Sequence, residues 1–177
     1  MTTRDLRYPV GKFTRPASLS PDERTAAIDA IEQAPAKLRA AVKGLSDPQL
    51  DTPYRPDGWT VRQLVHHIPD SHLNAYTRFK LGLTEDTPTI KPYDEGKWAD
   101  LADGASPLVE QSLTLVDALH ARWVYLLQRL RPGDFGRKIN HPDWAAPMSL
   151  DTLLALYAWH GTHHVAHITG LRTRMQW

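Results

Sequence analysis

Four of the nine histidines in this 177-residue chain lie close together near its end, as His160, His163, His164 and His167. They form two HxxxH pairs, His160 with His164 and His163 with His167. Residues four apart stand on the same face of an α-helix, with Cβ atoms about 5–6 Å apart. Two imidazoles placed in this way can bind one transition-metal ion at about 2.0–2.1 Å. The spacing therefore predicts a metal site on a C-terminal helix.

The apolar residues around this cluster distinguish the two pairs. On a helical wheel of about 100° per residue they form one stripe. Its members are Leu150, Leu153, Leu154, Leu156, Tyr157, Ile168 and Leu171. His160 and His164 fall within the stripe, so we expect them to face the interior, whereas His163 and His167 flank it. Burying two imidazoles without strong partners is costly, and a shared metal ion would satisfy both.

A third ligand could come from an earlier helical segment that carries His66, His67 and His72. Its wheel places His66 on the solvent side, His67 at the flank of the apolar stripe and His72 inside the stripe. Spacing alone does not choose between His67 and His72. His141, in a loop, and His120 are weaker candidates, and we expect His120 to be a solvated or lightly packed helix residue.

Composition limits the chemistry and the partners. The chain has no cysteine, which excludes disulfides, cysteine-bound zinc and a protein thiol nucleophile. Any thiol chemistry would therefore need a small-molecule thiol. The net charge of +1 gives no electrostatic reason to expect nucleic acid or an anionic membrane as a partner. No apolar run is long enough to span a bilayer and no secretory signal is apparent, so we expect a cytoplasmic protein.

Four long helices must position these histidines. Capping boxes start the first helix at Ser20 and the second at Thr60, Ser-Pro starts the third at Ser106, and Ser149 starts the fourth. Pro69 should kink the second helix or be accommodated within it. The predicted helices cover residues 20–43, 60–83, 106–131 and 149–174. Helices of this length predict an all-α, four-helix bundle in one domain, residues 1–177, with a long crossover (84–105) between the second and third helices. Strands are too weakly indicated in the loop 134–148 to be predicted.

The chain resembles a known family along its whole length. The similarity is carried by LRYPVGKF from Leu6, GWTVRQLVHH from Gly58, RFKL from Arg78, EDTPTIKPY from Glu85 and WHGTHH from Trp159. These segments resemble the YfiT branch of the DinB superfamily, whose members are bacterial metal-binding four-helix bundles. The resemblance implies a DinB-type bundle, a homodimer, and the metal ligands His67, His160 and His164.

Three neutral imidazoles leave an open coordination position, as in catalytic zinc sites. We expect one divalent transition metal per chain, zinc first, with nickel or manganese as alternatives. His163, His167 and Asp70 are the candidates for assisting side chains beside the ligands. Imidazole ligands suit several of these metals, so the donor set does not select one.

The resemblance implies either of two reactions on a small-molecule substrate. The branch is commonly described as metal-dependent hydrolases, but Gly161 follows His160 where an HExxH hydrolase has its glutamate base. Similar proteins transfer a low-molecular-weight thiol such as bacillithiol to an electrophile. We favour thiol transfer, with hydrolysis as the alternative and a non-catalytic metal-binding bundle as a third hypothesis.

Several residues near the histidines are candidates for binding the substrate or forming the walls of the site. The substrate-binding candidates are Asn74, Arg78 and Trp159. The aromatic wall candidates are Tyr93, Trp98, Trp144 and Trp159, although ordinary packing is the more common role for each. Trp59 and Trp123 are predicted to be core or helix-start residues.

Overall fold

The structure is a computed structural model that describes residues 5–177, and helices account for most of it. Its elements are α1 (Pro21–Val42), α2 (Asp47–Leu50), α3 (Val61–Thr84), α4 (Glu95–Ala99), α5 (Val109–Leu127), a 3-10 helix (Pro132–Gly136), β1 (Lys138–Ile139), β2 (Met148–Ser149) and α6 (Leu150–Met175). The four long helices α1, α3, α5 and α6 form the bundle that the sequence predicts. Each packs mainly against two others, in the cyclic order α1, α6, α3, α5.

The predicted start signals operate at three of the four long helices. The hydroxyl of Ser20 accepts a hydrogen bond from the Glu23 backbone amide, and Thr60 and Ser149 cap α3 and α6 in the same way. The third long helix differs from its prediction at both ends. Ser106 instead turns the chain by accepting from the Leu108 amide, so α5 begins only at Val109 and ends at Leu127 rather than at 131.

Two prolines lie inside bundle helices. Pro69 is accommodated within α3, which continues as an α-helix on both sides of it, and Pro35 is accommodated within α1. A proline has no N–H to donate to the carbonyl four residues earlier. Pro35 therefore leaves the carbonyl of Ile31 without its usual partner inside the helix.

The crossover is tied to the loop that precedes α6. The amide of Ile90 donates to the Asn140 carbonyl (2.9 Å), and the amide of Asn140 donates to the Pro88 carbonyl (2.8 Å). Beyond Asn140 the chain returns through β2, which pairs antiparallel with β1. The loop thus contains the strand pair that its sequence indicated too weakly to predict, and its hydrogen bonds at Asn140 attach the crossover to it.

The apolar core consists of two clusters. One is built around Phe79, Trp123 and Leu153, and the other contains Leu64 and Tyr54. The histidines contact both clusters, since the ring of His72 packs edge-on against Trp123 and the ring of His167 packs against Tyr54. None of the helices within residues 5–177 has the length and apolarity needed to cross a bilayer.

Candidate metal centre

Three histidines from two helices bring their Nε2 atoms together. His67 comes from α3, and His160 and His164 come from successive turns of α6. The Nε2 of His160 lies 3.4 Å from that of His67 and 3.1 Å from that of His164. Nitrogens bound at about 2.0–2.1 Å around a tetrahedral ion are separated by about 3.3 Å. The spacing and the donor set therefore fit one divalent ion.

Burial keeps these three imidazoles neutral. It lowers the pKa of His67 to about 4. It also lowers the pKa of His160 and His164 well below the ordinary value, and the charges that neighbouring histidines would carry lower them further. Metal ligation requires unprotonated imidazole nitrogens. The three side chains are thus in the ligating form at neutral pH without having to release protons.

Gly161 allows α6 to approach α1 beside this centre. A Cβ added at Gly161 would lie 3.3 Å from the Cβ of Ala34 and 3.7 Å from Cε1 of His72. Position 161 therefore faces the interior of the bundle, where a side chain would crowd Ala34. The glycine at position 161 is explained by helix packing.

The three histidines line a cavity of about 610 Å³ that opens to solvent. Ser71, Arg78 and Tyr157 line it together with Trp59 and Leu156. The crossover and the loop before α6 contribute Pro92, Tyr93, Glu95, His141 and Asp143, and the segment before α3 contributes Tyr54, Arg55, Asp57 and Gly58. This volume lies within the range of about 300–1,000 Å³ that is typical of small-molecule sites.

Only some of the residues predicted to bind substrate or form the walls line this cavity. Arg78 and Tyr93 do, but Asn74 and Trp159 do not. The side-chain amide of Asn74 donates to the Asp70 carbonyl (2.9 Å). The Trp159 indole stacks on His163, with ring centroids 4.3 Å apart, and its N–H donates to the Gly11 carbonyl.

The other wall candidates also differ from expectation. Trp98 packs on Tyr93 and Trp144 packs near His141, outside the cavity lining. Trp59, predicted to be a core or helix-start residue, lines the cavity, and its ring centroid lies 4.7 Å from that of His67. Its position directly before the N-cap of a histidine-bearing helix is the sequence signal for that role.

Two histidines are placed differently from the sequence predictions. His66, expected to face solvent, is buried, and its Nε2–H donates to the Ser106 carbonyl (2.8 Å) while Nδ1 lies 2.7 Å from the Ser112 hydroxyl. His120, expected to be solvated or lightly packed, is only 1% exposed. A helical wheel shows which face of one helix is the most apolar, but it does not show which other helices cover the remaining faces. In the bundle, α5 and the segment before it cover the polar side of α3.

The flanking pair on α6 forms a second histidine group. His163 and His167 are buried, their Nε2 atoms are 2.9 Å apart, and with His164 they lie close enough to hold an ion. Burial lowers the pKa of both, that of His167 to about 3. Neither lines the cavity. Asp70 does not line it either, and the pKa of its carboxyl is raised by burial and by the charge of Asp103.

Comparison with known proteins identifies the family. The model of the DinB superfamily matches residues 30–168. YfiT of Bacillus subtilis, whose name proposes a metal-dependent hydrolase, is 49% identical over 177 residues, which is 100% of this chain and 99% of YfiT. The chain belongs to the YfiT branch of the DinB superfamily.

Further relatives of this YfiT-branch protein support the assignment. A protein of Bacillus mycoides, also named as a proposed metal-dependent hydrolase, is 52% identical over 174 residues, covering 98% of this chain and 99% of the relative. The solved structure of Bacillus subtilis YfiT superposes with a TM-score of 0.95 at 48% identity, covering 98% and 99% of the two chains. That structure is described as a four-helix bundle of unusual topology. The predicted family and the predicted bundle are both confirmed.

Proposed function

We propose that this YfiT-branch protein is a metal-dependent enzyme that activates a nucleophile at His67, His160 and His164, and that it transfers a low-molecular-weight thiol to an electrophilic substrate. The observation that carries the proposal is the donor set. Three neutral imidazoles converge at the cavity, and no carboxylate within residues 5–177 joins the group. A neutral set leaves a divalent ion its full charge, which favours a bound thiolate.

In the proposed reaction the metal, the thiol cosubstrate and the cavity wall have separate roles. A divalent ion, zinc by preference, would lower the pKa of a coordinated thiol, so that transfer needs little help from a general base. The chain itself has no cysteine, so the thiol arrives as a cosubstrate. In the transfer a carbon–sulfur bond forms while the leaving group departs with the bonding electrons, and the thiol proton passes to solvent. Trp59, Tyr93 and Leu156 offer the electrophile an apolar wall.

Arg78 indicates the charge of one ligand. Its side chain is 8% exposed and lines the cavity, and within residues 5–177 it forms no ion pair with a carboxylate. Its hydrogen bonds go to uncharged groups, a long one of 3.5 Å from Nη2 to the Lys91 carbonyl and one to the Tyr157 hydroxyl. A buried guanidinium without a counter-charge is costly, and a carboxylate or phosphate can pair with it through two hydrogen bonds. We therefore assign Arg78 to an anionic group of the thiol cosubstrate.

Hydrolysis is the second candidate, and it is supported by carboxylate side chains that line the cavity. Glu95, Asp57 and Asp143 line the same cavity and could supply the carboxylate base that the histidine group lacks. The names of the relatives propose hydrolysis as well. In this case the nucleophile would be water instead of a thiol.

One experiment separates the two reactions. Zinc-loaded protein is incubated with a chloro-aromatic electrophile and a carboxylate-bearing thiol, and in parallel with ester and amide substrates. The proposal predicts conjugation that requires both thiol and metal, and no hydrolysis. Hydrolysis without thiol would replace thiol transfer with the second candidate, and a metal-loaded protein inactive in both assays would contradict the enzyme assignment.

A substitution of Arg78 tests its proposed role in binding the thiol cosubstrate. Arg78→Gln should raise the KM for a carboxylate-bearing thiol by about 10-fold or more, since a charge-assisted pair contributes about 1.5–3 kcal/mol. The KM for an uncharged thiol should change little. Arg129→Gln is the matched control, because Arg129 lies outside the cavity and contacts the ring of Tyr125. Equal KM changes for charged and uncharged thiols would refute the assignment.

A further inference from the structure

A line of hydrogen-bonded histidines runs from His160 through the interior of the bundle. Nδ1 of His160 lies 3.1 Å from Nε2 of His72, and Nδ1 of His72 lies 2.8 Å from Nε2 of His120. Nδ1 of His120 lies 2.7 Å from the carbonyl oxygen of Ile31. Ile31, His120, His72 and His160 belong to α1, α5, α3 and α6, so the line crosses all four bundle helices.

The carbonyl at the far end fixes the direction of every hydrogen bond. A carbonyl only accepts, so His120 must donate from Nδ1–H. Each neutral imidazole carries a single N–H. The Nε2 of His120 is therefore an acceptor and takes the Nδ1–H of His72, whose Nε2 in turn takes the Nδ1–H of His160. The Nε2 of His160 is left unprotonated, and it is the atom that faces His67 and His164.

The anchor at the far end originates in one residue of the sequence. The Ile31 carbonyl would normally accept from the amide of residue 35, but that residue is Pro35 and has no N–H. His120 provides the missing donor. The proline in the middle of α1 thus makes an acceptor available, buried in the bundle, that points toward α5.

Packing holds the intermediate rings in place. His72 is 0% exposed and His120 is 1% exposed, and their rings are stacked with centroids 4.8 Å apart. Trp123 packs edge-on against both rings, and Tyr157 packs edge-on against His72. Both rings are buried among apolar side chains, an environment that favours the uncharged imidazole. With rotation blocked and one proton per ring, the order of the hydrogen bonds is fixed.

We infer that Pro35, His120 and His72 act as positioning residues that hold His160 in the Nδ1–H tautomer, with its Nε2 lone pair aimed at the metal position. Metal-binding histidines commonly donate their second N–H to a carboxylate or a carbonyl, which sets their tautomer and orientation. In this bundle the carbonyl acts from a distance, through two further histidines. His72, the helical-wheel alternative to His67, then serves the site without binding the metal.

The first test reads the tautomers directly and needs no metal and no substrate. Long-range ¹H–¹⁵N correlation NMR of the metal-free protein at pH 7 distinguishes protonated from unprotonated ring nitrogens. We expect His160, His72 and His120 all to be protonated at Nδ1. A spectrum showing His160 protonated at Nε2 would overturn the inference, whether or not the protein proves to be an enzyme.

The second test compares two substitutions at one position. His72→Leu cannot accept the His160 N–H, whereas the side-chain amide of His72→Gln can accept it and can also donate to His120. We expect His72→Leu to weaken zinc binding by about 10–100-fold, the usual effect of removing such a partner, and His72→Gln to recover most of the loss. Thermal unfolding confirms that both variants are folded. Wild-type zinc affinity in folded His72→Leu, or an equal loss in both variants, would contradict the inference.

Pro35→Ala separates positioning from a merely structural role. Alanine suits a helix interior better than proline, so a purely structural view predicts a more stable protein with unchanged zinc binding. The restored amide of residue 35 would instead compete with His120 for the Ile31 carbonyl. We expect the NMR signal of the His120 Nδ1–H to shift and zinc affinity to fall by several-fold. An unchanged His120 signal and unchanged affinity would show that the proline has no part in the positioning.

Discussion

Acid should destabilise the metal-free protein through His67. Burial lowers the pKa of His67 from 6.5 to about 4 in the folded protein. Below pH 6.5 the unfolded chain therefore takes up a proton at this position that the folded chain does not, and stability falls as the pH falls. Between pH 7 and pH 5 this one group should lower the free energy of unfolding by about 2 kcal/mol, at 1.36 kcal/mol per pKa unit.

Urea denaturation in the presence of a chelator measures this contribution. The stability of the wild type minus that of His67→Gln should decrease by about 2 kcal/mol from pH 7 to pH 5, because glutamine does not titrate. Tyr157→Phe is the matched control. Tyr157 lies beside the same cavity, but burial raises the pKa of its phenol, so its difference from the wild type should not depend on pH in this range. A difference between wild type and His67→Gln that is constant with pH would refute the view that His67 is buried in its neutral form.

Three stability predictions concern the elements that hold the centre, each measured by urea denaturation at pH 7. Asp151→Asn should cost about 3 kcal/mol, because Asp151 is buried and pairs with Arg24 through two hydrogen bonds of 2.8 and 2.9 Å between α6 and α1. Thr60→Ala should cost about 1 kcal/mol by removing the N-cap of α3. Gly82→Ala should cost about 1–3 kcal/mol, because the added Cβ would lie 2.9 Å from Leu150 Cδ2. A loss below a few tenths of a kcal/mol in any variant would contradict the contact assigned to it.

Local sequence signals were sufficient for most of the bundle. Ser20, Thr60 and Ser149 start their helices where the capping patterns place them, because an N-cap hydrogen bond depends only on the next few residues. The inward direction of His160 and His164 follows from the apolar stripe of α6 in the same way. The third long helix was predicted too long because Ser106 carries the hydroxyl of an N-cap but uses it in a turn.

The missed features depend on contacts between helices. The sequence predicts a solvent-facing His66 and a solvated or lightly packed His120, yet other segments bury both and supply their hydrogen-bond partners. The role of Trp59 depends on how α3 and α6 enclose the cavity. Pro35 did contain a usable signal, since a proline inside a helix releases one carbonyl, but the residue that donates to this carbonyl of Ile31 is His120, 89 positions after Ile31.

Metal content, combined with X-ray absorption, is the most direct measure of the central claim that His67, His160 and His164 bind a divalent ion. The reconstituted protein should contain about one zinc per chain, with three imidazole nitrogens at about 2.0–2.1 Å. His160→Ala and His164→Ala should each lose the metal. His66→Gln, which changes the neighbouring histidine on α3 that donates to Ser106, should retain it. Full metal retention in folded His160→Ala or His164→Ala would contradict the assignment of this centre.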